Sequence, residues 1–459
     1  MIAGFAEREY TPAEGMVPGQ IKVGYAKGKR TPLMAHVAVM ESNGAGSVLV
    51  SLDILFVSVD FAAKVRARIS EKTGYPVDHI LIACSHTHTG CAIDLDCWAF
   101  EGKAEYLDPV EAAIMDALQE AMERRAEVKM GVGTGYDRRF SFCRDFFTTD
   151  GYLVMNPGHQ RAHMLVKPFA AVDHSVNVMR FDDLDGKPLC FVVNYANHLD
   201  TGGGRPKEKS FSADYAGYMR LALQKEYGED VTVLFLNGCC ANVNHYDYKY
   251  GSDRVGHCRE GAFPSVEIGE GLAETIKNIT PALTTAAGEH HIQGKSQMHV
   301  TARRSATRDQ REWAKGFIEA NAPIENDGQL RSALLAKLYA TDPAALPKTV
   351  DLEIHVLQIG PWTIVGIPGE VYSNIGLKIK ANSPFANTIV VELANGTHGY
   401  MSPDAVQESG CYEGIYSNVA YTGHGTDRVL VDGATAMLNA LNEADNVVSF
   451  GGFRNKNPY

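Results

Sequence analysis

The sequence predicts a mixed α/β (α+β) fold in which central mixed sheets are flanked by helices. In the first half, apolar β-branched segments alternate with helix-like segments. This β-α-β order is typical of a parallel sheet that is covered on both faces. In the second half, residues 350–367 alternate around Gly360-Pro361, which predicts an antiparallel hairpin. Parallel and antiparallel strands in one chain together indicate mixed sheets.

Each predicted element rests on a local pattern. Apolar, β-branched runs predict strands at residues 47–57, 79–84, 189–196, 231–236 and 388–393. Amphipathic patterns predict helices at residues 61–72, 109–125 and 428–443. A polar, helix-favouring excursion at about residues 307–339 separates the hairpin from the earlier sheet. Because the motifs described below are spread along the whole sequence, residues 1–459 are interpreted as a single domain.

The composition argues against several classes of partner. A net charge of −12 and an isoelectric point near 5.7 disfavour nucleic acid and anionic membrane surfaces. No apolar run approaches the roughly 20 residues of a membrane span, and no signal peptide is expected at the N-terminus. Nine cysteines without repeated Cys-x-x-Cys spacing indicate reduced thiols and a cytoplasmic location. A small-molecule substrate is the expected partner, and a homo-oligomer is compatible with the composition.

The sharpest motif is segment 85–90, S-H-T-H-T-G, which directly follows a predicted strand. Residues two apart in an extended segment share a face, so His86 and His88 can point at one site. Neutral imidazole is a preferred ligand of zinc. The alternative is a polar loop whose histidines bond only to the backbone.

Further polar motifs also follow predicted strands, where loops collect binding groups. They contain His198 in segment 197–201, Glu370 after Pro368-Gly369, and the segments 237–245, 395–400 and 411–414. Taken one by one, each has a structural interpretation: a core histidine, a carboxylate near a helix N-terminus, or a glycine-rich turn.

In their order along the chain, these motifs resemble those of the neutral (non-lysosomal) ceramidase family, specifically its catalytic domain. Segment 85–90 resembles the family's T-H-T-H-S-G, and segment 194–201 resembles its F-x-x-H-x-T. Shorter matches complete the resemblance, at residues 4–25, 141–144, 150–151, 156–157, 211–217, 368–370, 395–400 and 412–414. The similarity covers nearly the whole chain and implies a single ceramidase-like catalytic domain.

The resemblance also implies the roles of particular residues. The expected zinc ligands are His86, His198, Glu370 and Tyr400. Arg144 and Tyr412 correspond to the residues that contact the scissile amide. His88 is expected beside the zinc-bound water or the substrate oxygen. His398, in the glycine-rich segment before the expected tyrosine ligand, is interpreted as a substrate-binding residue.

Three departures from the family pattern bear on the substrate. Asn244 replaces the serine of the family's G-D-x-S-P segment, which acts in amide cleavage. Because a neutral amide is no base, the expected catalytic role of Asn244 is to orient other groups. Thr397 replaces the first tyrosine of the N-x-Y-x-x-Y motif. No C-terminal immunoglobulin-like domain is expected after the last predicted helix. These departures argue against ceramide itself.

The sequence therefore predicts a zinc-dependent hydrolase that cleaves an amide (N-acyl) or related bond of a small, polar, soluble substrate. Zinc-bound hydroxide would attack that bond. One alternative is a metal-dependent glycosidase or esterase, with Asp200, Asp214 or Glu392 as acid or base. A second alternative is a non-catalytic metal- or ligand-binding relative. The sequence leaves open a second metal near Asp94, Asp96 or Asp200.

Overall fold

A computed structural model describes residues 1–17, 24–91, 104–201, 209–249, 264–321, 323 and 327–451. Asp94, Asp96 and a few residues of the helical excursion lie outside the described residues. The helices of the described residues are α1 (Val59–Thr73), α2 (Leu107–Glu123), α3 (Asp214–Tyr227), α4 (Pro264–Ile279), α5 (Arg308–Ala320), α6 (Asp327–Tyr339), α7 (Ser373–Asn382), α8 (Asp404–Ser409) and α9 (Thr426–Gly451). No helix in this part of the chain is long and apolar enough to cross a bilayer.

The strands of the described residues form seven sheets, three of which have four or five strands. The strands are β1 (Ile2–Glu9), β2 (Glu14–Val17), β3 (Gly24–Lys29), β4 (Met34–Ser42), β5 (Ala45–Leu52), β6 (Ile80–Cys84), β7 (Ala126–Glu127), β8 (Lys129–Tyr136), β9 (Phe142–Cys143), β10 (Asp145–Thr148), β11 (Leu153–Met155), β12 (Leu165–Pro168), β13 (Ser175–Asp182), β14 (Pro188–Tyr195), β15 (Lys209–Phe211), β16 (Thr232–Asn237), β17 (Val243–Asn244), β18 (Ile292–Ala302), β19 (Thr349–Ile359), β20 (Trp362–Gly366), β21 (Glu370–Val371), β22 (Thr388–Val391) and β23 (Tyr400–Met401).

The three large sheets share one apolar interior. The N-terminal sheet has the order β6-β5-β4-β1-β7, the central sheet β16-β14-β13-β8, and the C-terminal sheet β18-β19-β20-β22. Side chains from one face of each sheet meet in this interior, among them Leu49, Leu234 and Ile364. The Ser51 hydroxyl donates to the Phe235 carbonyl at 2.6 Å and ties the N-terminal sheet to the central sheet. The sheets therefore form the inside of the molecule.

Helices cover the outer faces of these sheets. Helices α1 and α2 pack on the N-terminal sheet through residues such as Val65 and Ile114, and α7 and α9 pack on the C-terminal sheet. Helices α3 and α4 cover the central sheet through Met219 and Leu272. The N-terminal sheet thus has helices on one face and another sheet on the other. A strand with apolar residues on both faces does not reveal which kind of layer covers it.

The mixed α/β class predicted from the sequence is confirmed. Strands β5 and β6 pair in parallel, and β19 and β20 form the antiparallel hairpin around Gly360-Pro361. The strand expected at residues 47–57 ends earlier, because the chain turns at Asp53 and residues 54–57 are buried in a loop. The excursion contains two helices, α5 and α6. The last helix is longer than predicted.

Each large sheet contributes one parallel strand pair: β5 with β6, β14 with β16, and β20 with β22. Backbone contacts bring the carboxyl ends of these pairs together. Ala83 forms an isolated bridge with Ala394, and Thr87 forms one with Leu199. The Glu392 amide donates to the Asn237 carbonyl at 3.1 Å. Loops at the carboxyl ends of parallel strands commonly form binding sites, and here three such ends meet.

Candidate metal centre

His86 follows the carboxyl end of β6, and its backbone conformation is unusual. Its φ of 73° lies in the left-handed region, which side chains with a Cβ rarely adopt. The backbone amide donates to the Ile54 carbonyl at 3.0 Å, and Nδ1 lies 3.1 Å from the Leu55 carbonyl. Because a carbonyl only accepts, Nδ1 carries the proton and Nε2 presents a lone pair. Metal-binding histidines are typically held in this way.

His198 follows the carboxyl end of β14 and is held by a similar arrangement. Its Nδ1 lies 2.8 Å from the Cys240 carbonyl and 3.0 Å from the Val243 carbonyl. The proton is therefore on Nδ1, and the lone pair of Nε2 accepts from Nη1 of Arg144 at 3.3 Å. Burial and the positive charge of Arg144 lower the pKa of His198 well below its usual value, so the imidazole is neutral.

Glu370 completes this group from the turn after β20. Its Oε2 lies 3.3 Å from Nε2 of His86 and 3.7 Å from Nε2 of His198. Strands β21 and β23 pair in parallel, with Glu370 directly opposite Tyr400. Burial opposes ionisation of Glu370, but its interactions with His86 lower its pKa overall. Two imidazole nitrogens and a carboxylate oxygen therefore face one another beside a buried phenol.

Unsatisfied atoms test whether this group fits a metal ion. The 3.3 Å contact between His86 and Glu370 is not aligned as a hydrogen bond, so Nε2 of His86 and Oε2 of Glu370 are buried without a hydrogen-bond partner. Ligand atoms of His86, His88 and His198 also lie within 4.8 Å of one another. Buried polar atoms in native proteins are nearly always satisfied by protein, water or an ion. Nitrogen and oxygen donors of these kinds are those that zinc prefers, so the residues fit the ion.

Arg144 lies against the same group and is fixed by an ion pair. Its Nε donates to Oε1 of the fully buried Glu413 at 2.8 Å. Its Nη2 donates to the Tyr400 hydroxyl at 3.2 Å, and its Nη1 lies 3.3 Å from Nε2 of His198. Although burial disfavours the charged form, Glu413 raises the pKa of Arg144 overall, so the guanidinium stays positive. A rigid cation is thereby placed beside the candidate ligands.

His88 faces the other two histidines. Its ring centroid lies 4.8 Å from that of His86 and 5.8 Å from that of His198. Both of its ring nitrogens are buried and have no hydrogen-bond partner. Burial, aided by the neighbouring His86, lowers the pKa of His88 to about 4. The imidazole is therefore neutral at pH 7 and can bind a metal or accept a proton.

Known structures match this arrangement of elements. Neither a protein-family model nor a curated protein sequence matches the chain. The crystal structure of neutral ceramidase from Pseudomonas aeruginosa superposes with a TM-score of 0.71, covering 96% of this chain and 74% of that chain at 16% identity. A ceramidase complexed with C2 gives a TM-score of 0.70, with 96% and 75% covered, also at 16% identity. The chain has the neutral ceramidase fold.

Within the ceramidase fold, the structure brings together most residues singled out in the sequence. The Tyr412 ring packs edge-on against Tyr400, with centroids 5.7 Å apart. The guanidinium of Arg331, from α6, lies 5.0 Å from the centre of the Tyr412 ring. The helical excursion therefore reaches the side of the centre on which Tyr412 lies. The expected catalytic and ligand roles stay predictions, because the fold alone does not assign them.

Two predicted residues make other contacts. His398 has its Nδ1 3.0 Å from the Tyr421 hydroxyl, and the charges that act on it are those of Arg303 and Asp351. Asn244 donates from its amide nitrogen to Asn156 at 2.8 Å and accepts from the Tyr246 amide at 3.0 Å. Both polar atoms of Asn244 are thus used in fixing the loop. Substrate contact by His398 and a catalytic role for Asn244 stay predictions.

Sequence reasoning gave no role to two groups beside the centre. Glu413 lies within segment 412–414, but its contact with Arg144, which it orients, was not predicted. His245 has Nδ1 3.4 Å from Oδ1 of Asp200, which is two residues beyond His198. A histidine directly after Asn244, in a loop that follows a buried strand, was the available signal. The pairing with Asp200 depends on tertiary structure and has no local pattern.

Proposed function

We propose that this protein is a zinc-dependent hydrolase that cleaves an amide (N-acyl) or related bond of a small, polar substrate. The observation that carries the proposal is the convergence of Nε2 of His86, Nε2 of His198 and Oε2 of Glu370, two of which are buried without a hydrogen-bond partner. Tyr400 lies next to this group and supplies a fourth candidate ligand. The neutral ceramidase fold, found in proteins named for amide cleavage, agrees with this proposal.

When bound, a zinc ion lowers the pKa of a coordinated water and polarises a carbonyl oxygen. The backbone carbonyls at Leu55, Cys240 and Val243 keep both ligand imidazoles in the required tautomer. Arg144 is held by Glu413 so that its remaining N–H groups point towards the centre. A preorganised donor of this kind stabilises negative charge that develops on a substrate oxygen.

Tyr412 and His88 complete the proposed machinery. The phenol of Tyr412 lies beside Tyr400 and is proposed to donate to the substrate oxygen together with Arg144. His88 is neutral because burial lowers its pKa, so its lone pair can accept a proton or a hydrogen bond from water or from the leaving group. Arg331 places a cation over the Tyr412 ring. A cation beside the proposed substrate would suit a polar substrate better than a long acyl chain.

The contacts of the carboxylates favour amide or ester chemistry over glycosidase chemistry. A glycosidase needs a pair of carboxyl groups directed at the scissile bond. Asp214 accepts from the Thr201 backbone and hydroxyl, at 3.0 and 2.6 Å. Glu392 is fully buried and accepts from the amides of Cys240 and Val371, at 2.9 and 3.0 Å. The third carboxylate proposed for that alternative, Asp200, lies 3.4 Å from Nδ1 of His245.

Metal content and hydrolysis are the tests of the proposed function. Protein purified without a histidine tag should contain zinc and should hydrolyse members of a panel of short N-acyl amides and esters. A chelator should abolish the activity, and added zinc should restore it. A His163→Ala variant serves as control, because His163 is exposed and lies outside the centre. Full activity in the presence of chelator would refute the proposal, and bound zinc without any hydrolysis would favour a non-catalytic binding protein.

A further inference from the structure

Glu392 is a charged residue at the end of an apolar strand. Residues 388–393 read T-I-V-V-E-L, and Glu392 directly follows β22. Its side chain is fully buried. Burial of a carboxylate is costly unless hydrogen bonds compensate it, and the donors to Glu392 are two backbone amides and a thiol, all of them neutral. Packing alone would not place a carboxylate at this position.

One oxygen of Glu392 joins the segments that carry two of the candidate ligands. Its Oε2 accepts from the amide of Val371, the residue after Glu370, at 3.0 Å. The same oxygen accepts from the amide of Cys240 at 2.9 Å. The Cys240 carbonyl in turn accepts from Nδ1 of His198 at 2.8 Å. Oε2 therefore links the strand that carries Glu370 to the residue that orients His198.

The other oxygen of Glu392 fixes the side chain of Cys240. The Cys240 thiol donates to Oε1 at 2.9 Å, and its sulfur lies 3.4 Å from Nδ1 of His198. The sulfur also accepts from Nδ2 of Asn237 at 3.4 Å. The fully buried Cys240 thus lies between the carboxylate of Glu392 and the imidazole of His198 and contacts both.

Asn237, the last residue of β16, extends this network to the third candidate ligand. Its Nδ2 donates to the carbonyl of Ser85, the residue before His86, at 3.2 Å. Its own carbonyl accepts from the Glu392 amide at 3.1 Å. The segments of all three candidate ligands are therefore tied to one buried carboxylate and its neighbours. Outer partners of this kind orient metal ligands, and their loss typically lowers metal affinity about 10–100-fold.

We propose that Glu392 is a positioning residue of the candidate metal centre, acting through Cys240 and Val371. It holds Nε2 of His198 and Oε2 of Glu370, which lie 3.7 Å apart on segments distant in the chain, in an arrangement suited to a metal ion. This inference rests on the proposed function in requiring that the centre binds zinc. Glu392 is given no contact with the substrate or the ion, so its effect is on the ligands alone.

The zinc affinity of Glu392→Gln tests this role without knowledge of the substrate. The variant keeps an oxygen for the two amides but places an NH2 group, which cannot accept, opposite the Cys240 thiol. We expect the zinc Kd to rise about 10–100-fold, measured by competition between stripped, tag-free protein and a chromogenic chelator. The visible spectrum of the Co²⁺-loaded protein should also change, because it reports the ligand geometry.

Asp182→Asn is the matched control for the change from carboxylate to amide. Asp182 is buried as well, but it lies opposite Pro188 at the end of β14 that is remote from His198. Its substitution should leave the zinc Kd and the Co²⁺ spectrum unchanged, even if the free energy of unfolding falls.

Cys240 provides a second pair of variants, which decides the question if circular dichroism shows that Glu392→Gln does not fold. Cys240→Ala removes the thiol contact but keeps both backbone contacts of residue 240. It should weaken zinc binding in the same direction. Cys240→Ser supplies a hydroxyl that can donate to Glu392 and should restore most of the lost affinity.

The outcomes separate the positioning role from the proposed function. An unchanged zinc Kd and Co²⁺ spectrum in folded Glu392→Gln, or in Cys240→Ala where that is the folded variant, overturns the positioning role and leaves the proposed function intact. A loss of stability of the metal-free protein with an unchanged zinc Kd has the same meaning, because Glu392 is then structural only. An unmodified protein that binds no zinc contradicts both.

Discussion

Two buried groups of charged side chains in this protein differ in how completely they are satisfied. In the first, Arg220 donates to Asp53 at 2.9 Å and to the Pro32 carbonyl at 2.9 Å, and Nδ1 of His36 lies 3.0 Å from Glu7. We call these residues the Arg220 network. In the second, the candidate metal centre (below, the metal centre), Nε2 of His86 and Oε2 of Glu370 are buried without a hydrogen-bond partner.

The difference indicates two uses of buried charge. The Arg220 network joins the N-terminal sheet to α3, and within it each carboxylate has a cation or a histidine as neighbour. It therefore needs no further ligand, and its loss should affect folding. The metal centre contains similar residue types, but its buried atoms without a hydrogen-bond partner face one another. Its loss should affect binding and catalysis much more than folding.

The largest expected effect is the loss of metal and activity on removal of a ligand. His198→Ala deletes one of the two imidazoles whose Nε2 atoms face Glu370. We expect hydrolysis to fall to background and zinc binding by His86 and Glu370 to be lost, with an unchanged circular dichroism spectrum. An active, zinc-replete His198→Ala protein would show that the metal centre is no more functional than the Arg220 network.

The converse change, in the Arg220 network, should lower the stability of the fold without affecting zinc binding. Arg220→Ala leaves the carboxylate of Asp53, which is 2% exposed, without its ion-pair partner. Breaking a buried ion pair in this way costs about 3–5 kcal/mol. Urea denaturation should therefore show a large loss in the free energy of unfolding, while the folded fraction binds zinc normally. Arg308→Ala is the matched control, because the exposed pair with Glu312 should contribute about 0–1 kcal/mol.

Arg144 tests whether an ion pair inside the metal centre serves catalysis. Arg144→Lys keeps the charge but loses the planar set of donors shared among Glu413, Tyr400 and His198. Removing a preorganised donor from an oxyanion site typically lowers kcat about 10²–10³-fold. We expect a decrease of that order in kcat, measured by steady-state kinetics, with zinc content retained. An unchanged kcat would assign Arg144 a structural role.

The smallest expected effect is a pH dependence of the Arg220 network. Burial opposes protonation of His36, but Asp53 and Glu7 raise its pKa overall. The stability that comes from charged His36 is therefore complete below the unfolded-state value of about 6.5 and is lost as pH rises through the folded-state pKa. The free energy of unfolding should differ most between the unmodified protein and His36→Gln at acidic pH. A difference that is constant with pH would contradict this assignment.

Local patterns in the sequence predict the elements better than their arrangement. The pairing of β5 with β6 and the hairpin of β19 with β20 follow from apolar runs and turn residues. The stacking of the sheets does not, because both faces of β5 are buried and its sequence does not show which layer covers each face. The strand predicted through Val57 was too long, since a buried loop has the same composition as a strand.

In the metal centre too, the sequence predicts some features and not others. The order of motifs singled out His86, His198 and Glu370, and the structure places their ligand atoms together. The pair of Arg144 with Glu413 joins residues 269 positions apart. The pair of Asp200 with His245 depends on the loop that follows β17. Such contacts between distant segments leave no periodic signal in a single sequence.

The backbone of His86 carries a consequence for the evolution of this protein. A φ of 73° is one that glycine adopts freely and a histidine adopts at a cost of about 1–3 kcal/mol. A glycine at position 86 would relax the chain and remove a ligand at the same time. Selection for stability alone would favour that exchange, so the strained histidine is expected where the proposed metal binding is gained at the expense of stability.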